Sequence, residues 1–153
     1  MKTGLLIFAL AWLSGCASLG IYVVDDSLTA AQHNDLGWTY ERQDKLALAE
    51  KEYTRAMKKD RDWYLPCYNL ANIHYKTGAP EKAVRYYRRA LKRKPDHPDS
   101  MNNLAFVLME RGRCSEAREW IDRAIAIEPK PEYLDTRERI SVKCRPGSMS
   151  AMD

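Results

Sequence analysis

Residues 68–95, YNLANIHYKTGAPEKAVRYYRRALKRKP, and residues 102–129, NNLAFVLMERGRCSEAREWIDRAIAIEP, carry one pattern twice, 34 residues apart. Leu70 matches Leu104, Ala71 matches Ala105, Gly78 matches Gly112, Ala83 matches Ala117, Ala90 matches Ala124 and Pro95 matches Pro129. One period earlier the same register meets Leu36, Gly37, Ala49, Tyr53 and Ala56, so the unit occurs three times. A fixed period of this length belongs to stacked helix-turn-helix units, none of which can bury its apolar face alone. In the middle unit Leu70, Ala71 and His74 share one face of a first helix, and Ala83, Tyr87 and Ala90 one face of a second. The alanines allow the two helices to approach closely. Gly78 stops the first helix. Pro80 and Glu81 open the next, where a proline costs no intrahelical bond and a carboxylate faces the positive end of the helix dipole.

These positions together resemble the tetratricopeptide repeat (TPR) family, over residues 30 to 131. The resemblance implies an all-α, right-handed solenoid of three helix-turn-helix repeats at 30–63, 64–97 and 98–131, with a C-terminal capping helix at 132–144. It also implies a protein-binding role rather than catalysis. The first repeat departs from the pattern, with Asp44 at the turn position of Gly78 and Gly112 and Arg61 at that of Pro95 and Pro129, and is expected to be less sharply bounded. The run PEYLDTRERISVKC, Pro131 to Cys144, reads as the cap, with Tyr133, Leu134 and Ile140 as its apolar stripe. Residues 145–153 are small and polar and read as a disordered tail.

The first sixteen residues, MKTGLLIFALAWLSGC, place Lys2 before an apolar run from Leu5 to Leu13 that is too short for a stable membrane span. Leu13, Ser14, Gly15 and Cys16 resemble the bacterial lipobox, which implies a signal peptide at 1–15 and lipidation of Cys16 at the head of a spacer, 16–29. Acyl chains on Cys16 make a lasting anchor, since two chains already hold a protein on a bilayer. Ala17 follows where an aspartate resembles an inner-membrane retention signal, so for a Gram-negative source the expected address is the periplasmic face of the outer membrane. That compartment is oxidising. Cys67 reads as a small core residue. Cys114, in the turn of the third repeat, and Cys144, at the end of the cap, are expected to lie side by side because successive first helices stack in parallel. A bridge between them closes a loop of about 30 residues and contributes roughly 3 to 4 kcal/mol. The alternative is two unpaired surface thiols.

In TPR solenoids the first helices line a concave working face. Here that face carries Asn34, Trp38, Glu41 and Arg42; then Tyr68, Asn69, Asn72, Tyr75 and Lys76; then Asn102, Asn103, Phe106, Met109 and Glu110. Trp38, Tyr68, Phe106 and Met109 are the expected anchors for an extended peptide segment of a partner protein. Asn69 and Asn103 either pair with the peptide backbone or only stabilise the solenoid, and the sequence leaves both roles open. Chaperone-binding TPRs clamp a C-terminal carboxylate with lysines, an arginine and asparagines. At those positions this chain has Asn34, Trp38, Asp99 and Asn103, and only Asn69 fits the clamp.

The formal charge of +4 becomes +3 without Lys2, as Lys+Arg falls from 25 to 24 against 21 acids, and does not imply nucleic acid. Arg85, Arg88, Arg89, Lys92, Arg93 and Lys94 form the densest charge run, read as a solvated outer face or, near anionic lipid, a membrane-apposed one. His33, His74 and His97 stand apart, with no metal-ligand spacing, no cofactor motif and no nucleophile-base-acid set, so neither a metal nor an enzyme is expected. Two functions remain: an outer-membrane adaptor that docks a partner segment during assembly of a secretion, pilus or export machine, and a holding factor that presents extended exported chains to a peptidase or transporter. A purely structural spacing role and self-association through an exposed solenoid end are also left open.

Overall fold

The computed structural model describes residues 26–145, so Cys16, the signal segment and the tail beyond 145 lie outside it. The described residues form seven α-helices and no strand: α1 Ala30–Arg42, α2 Leu46–Lys59, α3 Leu65–Lys76, α4 Pro80–Arg93, α5 Pro98–Glu110, α6 Cys114–Ile127 and α7 Pro131–Lys143. α1 pairs with α2, α3 with α4 and α5 with α6, and each pair stacks on the next, with α7 closing the series. Pro80, Pro98 and Pro131 each occupy the first helical position, where the missing N–H has no partner to lose. α1 opens instead on Thr29, whose hydroxyl accepts from the Gln32 amide while the Gln32 side chain accepts from the Thr29 amide.

The turn inside each repeat is the same device three times. Lys45 N donates to Tyr40 O at 2.9 Å, Ala79 N to His74 O at 2.8 Å and Arg113 N to Leu108 O at 2.9 Å. The left-handed residue this needs is Gly78 (φ 73°), Gly112 (φ 70°) and, in the first repeat, Asp44 (φ 57°). Aspartate is among the few residues that tolerate this region, so the first repeat is bounded as sharply as the others, contrary to the sequence expectation. The missing proline at Arg61 is also replaced: Asp60 Oδ1 accepts from the amides of Asp62 and Trp63, both at 3.0 Å, and folds the exit from α2 with its side chain.

The core runs the length of the stack. Ala49, Ala56, Ala71, Ala83, Ala90, Ala105, Ala117 and Ala124 are fully buried, so the repeated alanines are the points of closest helix approach. Tyr53, Tyr87 and Ile121 fill the same position in successive repeats. In the cap, Tyr133 and Ile140 are buried together with Thr136, whereas Leu134 is 40% exposed. Positions 133, 136 and 140 share one helix face and Leu134 sits about 100° round from Tyr133, which corrects the stripe read from the sequence. Cys114, the first residue of α6, is bridged to Cys144, the residue after α7, with Cα atoms 5.7 Å apart and S–S 2.03 Å. Cys67 is buried and unbridged, with Arg93 donating to its sulfur, and burial pushes its thiol pKa up.

His74 is buried and stacked on Tyr86 with ring centroids 5.1 Å apart, and its Nε2 lies 3.7 Å from Glu50. Burial holds its pKa below the ordinary histidine value; Lys82 and Arg85 push the same way and Glu50 opposes them. His97, which caps α5 by accepting from the Ser100 amide at 3.2 Å, is also lowered, mainly by burial. A folded-state pKa below the unfolded one means that the unfolded chain takes up the proton first. This stability is therefore complete above about pH 6.5 and is lost as pH falls toward the folded value. His74→Leu, which installs the residue found at the equivalent position 108, is expected to flatten the loss of stability between about pH 7 and pH 5 without abolishing it, because His97 remains. Urea midpoints across that range measure it. A variant as pH-sensitive as the parent removes His74 from the account.

Candidate peptide-binding groove

The first helices α1, α3 and α5 stand side by side, and their facing polar residues are joined by a regular set of bonds. Asn69 Nδ2 donates to Asn34 Oδ1 at 2.9 Å, Lys76 pairs with Glu41, Tyr75 OH donates to Glu110 at 2.7 Å, and Asn103 Nδ2 donates to Tyr68 OH at 3.3 Å. Each bond joins residues 35 apart, one period plus one residue. Two tyrosines of the second helices reach through from behind: Tyr53 OH donates to Glu41 at 3.0 Å and Tyr87 OH to Asn72 Oδ1 at 2.6 Å. Burial, with the Glu110 contact, moves the Tyr75 hydroxyl up to about 12, and burial is the largest cause of the upward shift of Tyr87. Both stay neutral donors at physiological pH.

A cavity of about 310 Å³ opens on this face, lined by Glu41, Asn72, Tyr75, Lys76, Tyr87, Asn102, Asn103, Phe106 and Val107. Tyr75, Phe106 and Val107 supply apolar walls, the Tyr75 and Phe106 rings meeting edge to face at 5.8 Å. The Arg139 guanidinium of α7 sits 4.5 Å from the Phe106 ring centre and borders the site on the cap side. Asn102 Nδ2 donates to Asn103 Oδ1 at 3.1 Å, while Asn102 Oδ1 is shielded from solvent and has no hydrogen-bond partner among the described residues. An acceptor in that state is costly unless a donor reaches it.

Of the residues expected to bind a peptide, the structure brings Asn72, Tyr75, Asn102, Asn103 and Phe106 together around this cavity. Asn34 is buried against Asn69, and Asn103 is shared between Tyr68 and Asn72, so these amides have partners inside the solenoid. Tyr68 leans on Tyr87 and His97, with centroids 6.1 and 5.3 Å away. Trp38 is 54% exposed under the Arg42 guanidinium and does not line the cavity. Met109 is a correction: it is 2% exposed, because it packs into the core that α7 closes, and it does not line this cavity. Tyr87 and Val107 were missed. The signal for Tyr87 was its hydroxyl, which at a buried core position needs a partner on the far side of the first helix. Asp99, at a clamp position, accepts from Tyr133 OH and lies 3.5 Å from Lys130. Burial raises its pKa, but those two contacts together with the neighbouring His97 hold the carboxyl below its ordinary value.

Comparison with known proteins matches this repeat. A family model described as tetratricopeptide repeat matches residues 68–131. The Photosystem I assembly protein Ycf3 of Sorghum bicolor is 32% identical over 136 residues, spanning 71% of this chain and 77% of that protein. Among solved structures, the first TPR of Spaghetti (RPAP3) bound to the HSP90 peptide SRMEEVD is similar with a TM-score of 0.72 at 20% identity, over 76% of this chain and 94% of that one. The second TPR domain of human RPAP3, in complex with the HSP70 peptide SGPTIEEVD, gives 0.69 at 19% identity, over 73% and 94%. With the period, the three matching turns and the relative all agreeing, this chain belongs to the tetratricopeptide repeat family.

Proposed function

We propose that this chain is a docking module tethered to a bacterial envelope membrane through Cys16, which holds an extended segment of a partner protein in the concave groove during assembly of an envelope machine. The observation that carries the reading is the cavity beside Tyr75 and Phe106, where apolar walls surround an unpartnered acceptor on Asn102. An extended peptide offers what that site lacks, a side chain for the walls and a backbone N–H for the amide oxygen. The two solved TPR domains similar in fold each hold a peptide, and the plant relative is an assembly protein, which supports docking in assembly over catalysis. Asp99 is occupied by Tyr133 and Lys130 and adds negative charge where a clamp needs positive, so an internal stretch suits the groove better than a C-terminal carboxylate.

Photocrosslinking in living cells from a probe at Trp38, at the rim, tests this. One dominant protein adduct is expected, and Tyr75→Ala or Phe106→Ala should weaken it about tenfold, the usual cost of losing one interface anchor, with helix content by circular dichroism unchanged. A smear of many exported proteins would point to a holding factor instead. An adduct indifferent to both substitutions would mean that the groove is not the binding face.

A further inference from the structure

The outer face of α4 carries a row of cations that the solenoid leaves unneutralised. Lys82, Arg85, Arg89 and Lys92 are spaced 3, 4 and 3 residues apart and so lie on one side of the helix, over about 15 Å. Neighbouring cations are tied down: Arg88 to Glu116 at 2.6 Å, Arg93 to the Cys67 sulfur, and Lys94 over the Tyr64 ring. No ion pair among the described residues holds any of the four in the row. They border two shallow clefts that meet at Arg89. One is shared with Glu50, His74 and Tyr86, the other with Arg61, Asp62 and Arg93. With Arg61 the face presents five outward cations against the two carboxylates of Glu50 and Asp62.

The described residues begin beside the end of α2, close in sequence to Arg61. Asp26, the first described residue, accepts from Lys59 Nζ through its carbonyl, and its carboxylate lies 2.9 Å from His33 Nε2 and 4.0 Å from Arg55. The His33–Asp26 approach is out of line for a hydrogen bond, while Nδ1 of the same buried ring meets Glu52 squarely at 2.7 Å. This cluster fixes the first described residues to α2, whose last residue, Lys59, stands two residues before Arg61. The ten residues from Cys16 to Asp26 extend to at most about 35 Å. A tether of that length keeps Asp26 and the end of α2 beside it within about 35 Å of the anchor.

We infer that the α4 outer face, Lys82, Arg85, Arg89 and Lys92 with Arg61, docks on an anionic phospholipid surface. The inference rests on the tethered reading only for the side from which the membrane approaches. Shallow, open clefts with cations in a line suit a plane of headgroup phosphates, and such attraction is screened by salt.

Full-length protein reconstituted with vesicles of phosphatidylcholine alone or of phosphatidylethanolamine and phosphatidylglycerol, then acetylated at lysines and read by mass spectrometry, tests it. Attachment to both, with Lys82 and Lys92 protected only on the anionic vesicles and Lys45 unchanged, is the expected result. Protection should vanish in high salt. Each basic residue at such a surface favours the docked state by roughly fivefold, so Arg85→Glu with Arg89→Glu shifts the balance at least about 25-fold toward the undocked state and restores labelling. The salt arm needs no substitution and so stands if the variant misfolds. Attachment to both vesicles with equal labelling overturns this inference and leaves the tether intact. Binding and protection on anionic vesicles alone supports it and removes the tether. No attachment to either overturns both, and protection of the same lysines in cells with none on vesicles assigns the face to an acidic protein.

Discussion

Removing the bridge with Cys114→Ser and Cys144→Ser lowers the unfolding midpoint by about 10 °C, the shift expected from roughly 3 to 4 kcal/mol in a folded region of this size. The sulfurs close a loop whose ends are 30 residues apart, containing α6 and α7. α7 is the only helix of the cap and buries just Tyr133, Thr136 and Ile140 against its neighbours. A solenoid loses stability from its ends, since each unit is held mainly by the adjacent one. Without the covalent tie the cap frays first, and Met109 and the core around it become accessible. Arg118 reinforces the link by donating to Cys144 O at 3.0 Å, but one half-buried hydrogen bond, worth about 1 kcal/mol net, cannot replace it. Differential scanning calorimetry of parent, variant and reduced parent measures this. Coincident melts for all three would show that the bridge contributes nothing.

Gly37→Ala destabilises the fold by about 2 kcal/mol although alanine is the better helix former. A Cβ at Gly37 meets Cδ1 and Cε1 of Tyr53 at 2.7 Å, inside any real contact distance. Tyr53 is fully buried and its hydroxyl is bonded to Glu41, so the ring has nowhere to go without giving up that bond. The other two repeats carry Ala71 and Ala105 at this position, the second with Tyr87 and the third with Ile121, so the clash belongs to where the Tyr53 ring sits in the first repeat rather than to tyrosine as such. The double substitution Gly37→Ala, Tyr53→Ile should therefore recover more stability than the two single effects predict, and a thermodynamic cycle of urea midpoints reads the coupling. Simple additivity would place the clash elsewhere.

The period made the helices, the alanine contacts and the position of the groove readable in advance, because each depends on residues that recur at fixed spacing. What escaped depends on singular contacts. His33 meets Glu52 across 19 residues and Asp26 across seven, in no repeated register, so the buried cluster that pins the entering segment has no periodic signature. Asp44 looked like a lapse in the turn pattern because composition does not reveal that aspartate can take up the left-handed conformation when the flanking bonds demand it. Met109 looked like an anchor because its fate depends on how α7 packs, and that helix shows only three inward positions. The asparagines divided between two roles, since whether an amide is spent inside the solenoid is decided by side-chain reach rather than by residue type.

The four bonds that join residues 35 apart run across the seams between successive first helices, one side chain to one side chain. Bending the superhelix tighter would compress all four at once, and letting it relax would stretch them. They act as struts that preset the radius of the concave face, so a partner segment meets a surface already curved to one shape and loses little affinity to reshaping it. Cutting one strut, as at Glu110 or Lys76, would then soften the whole arc while leaving every helix in place.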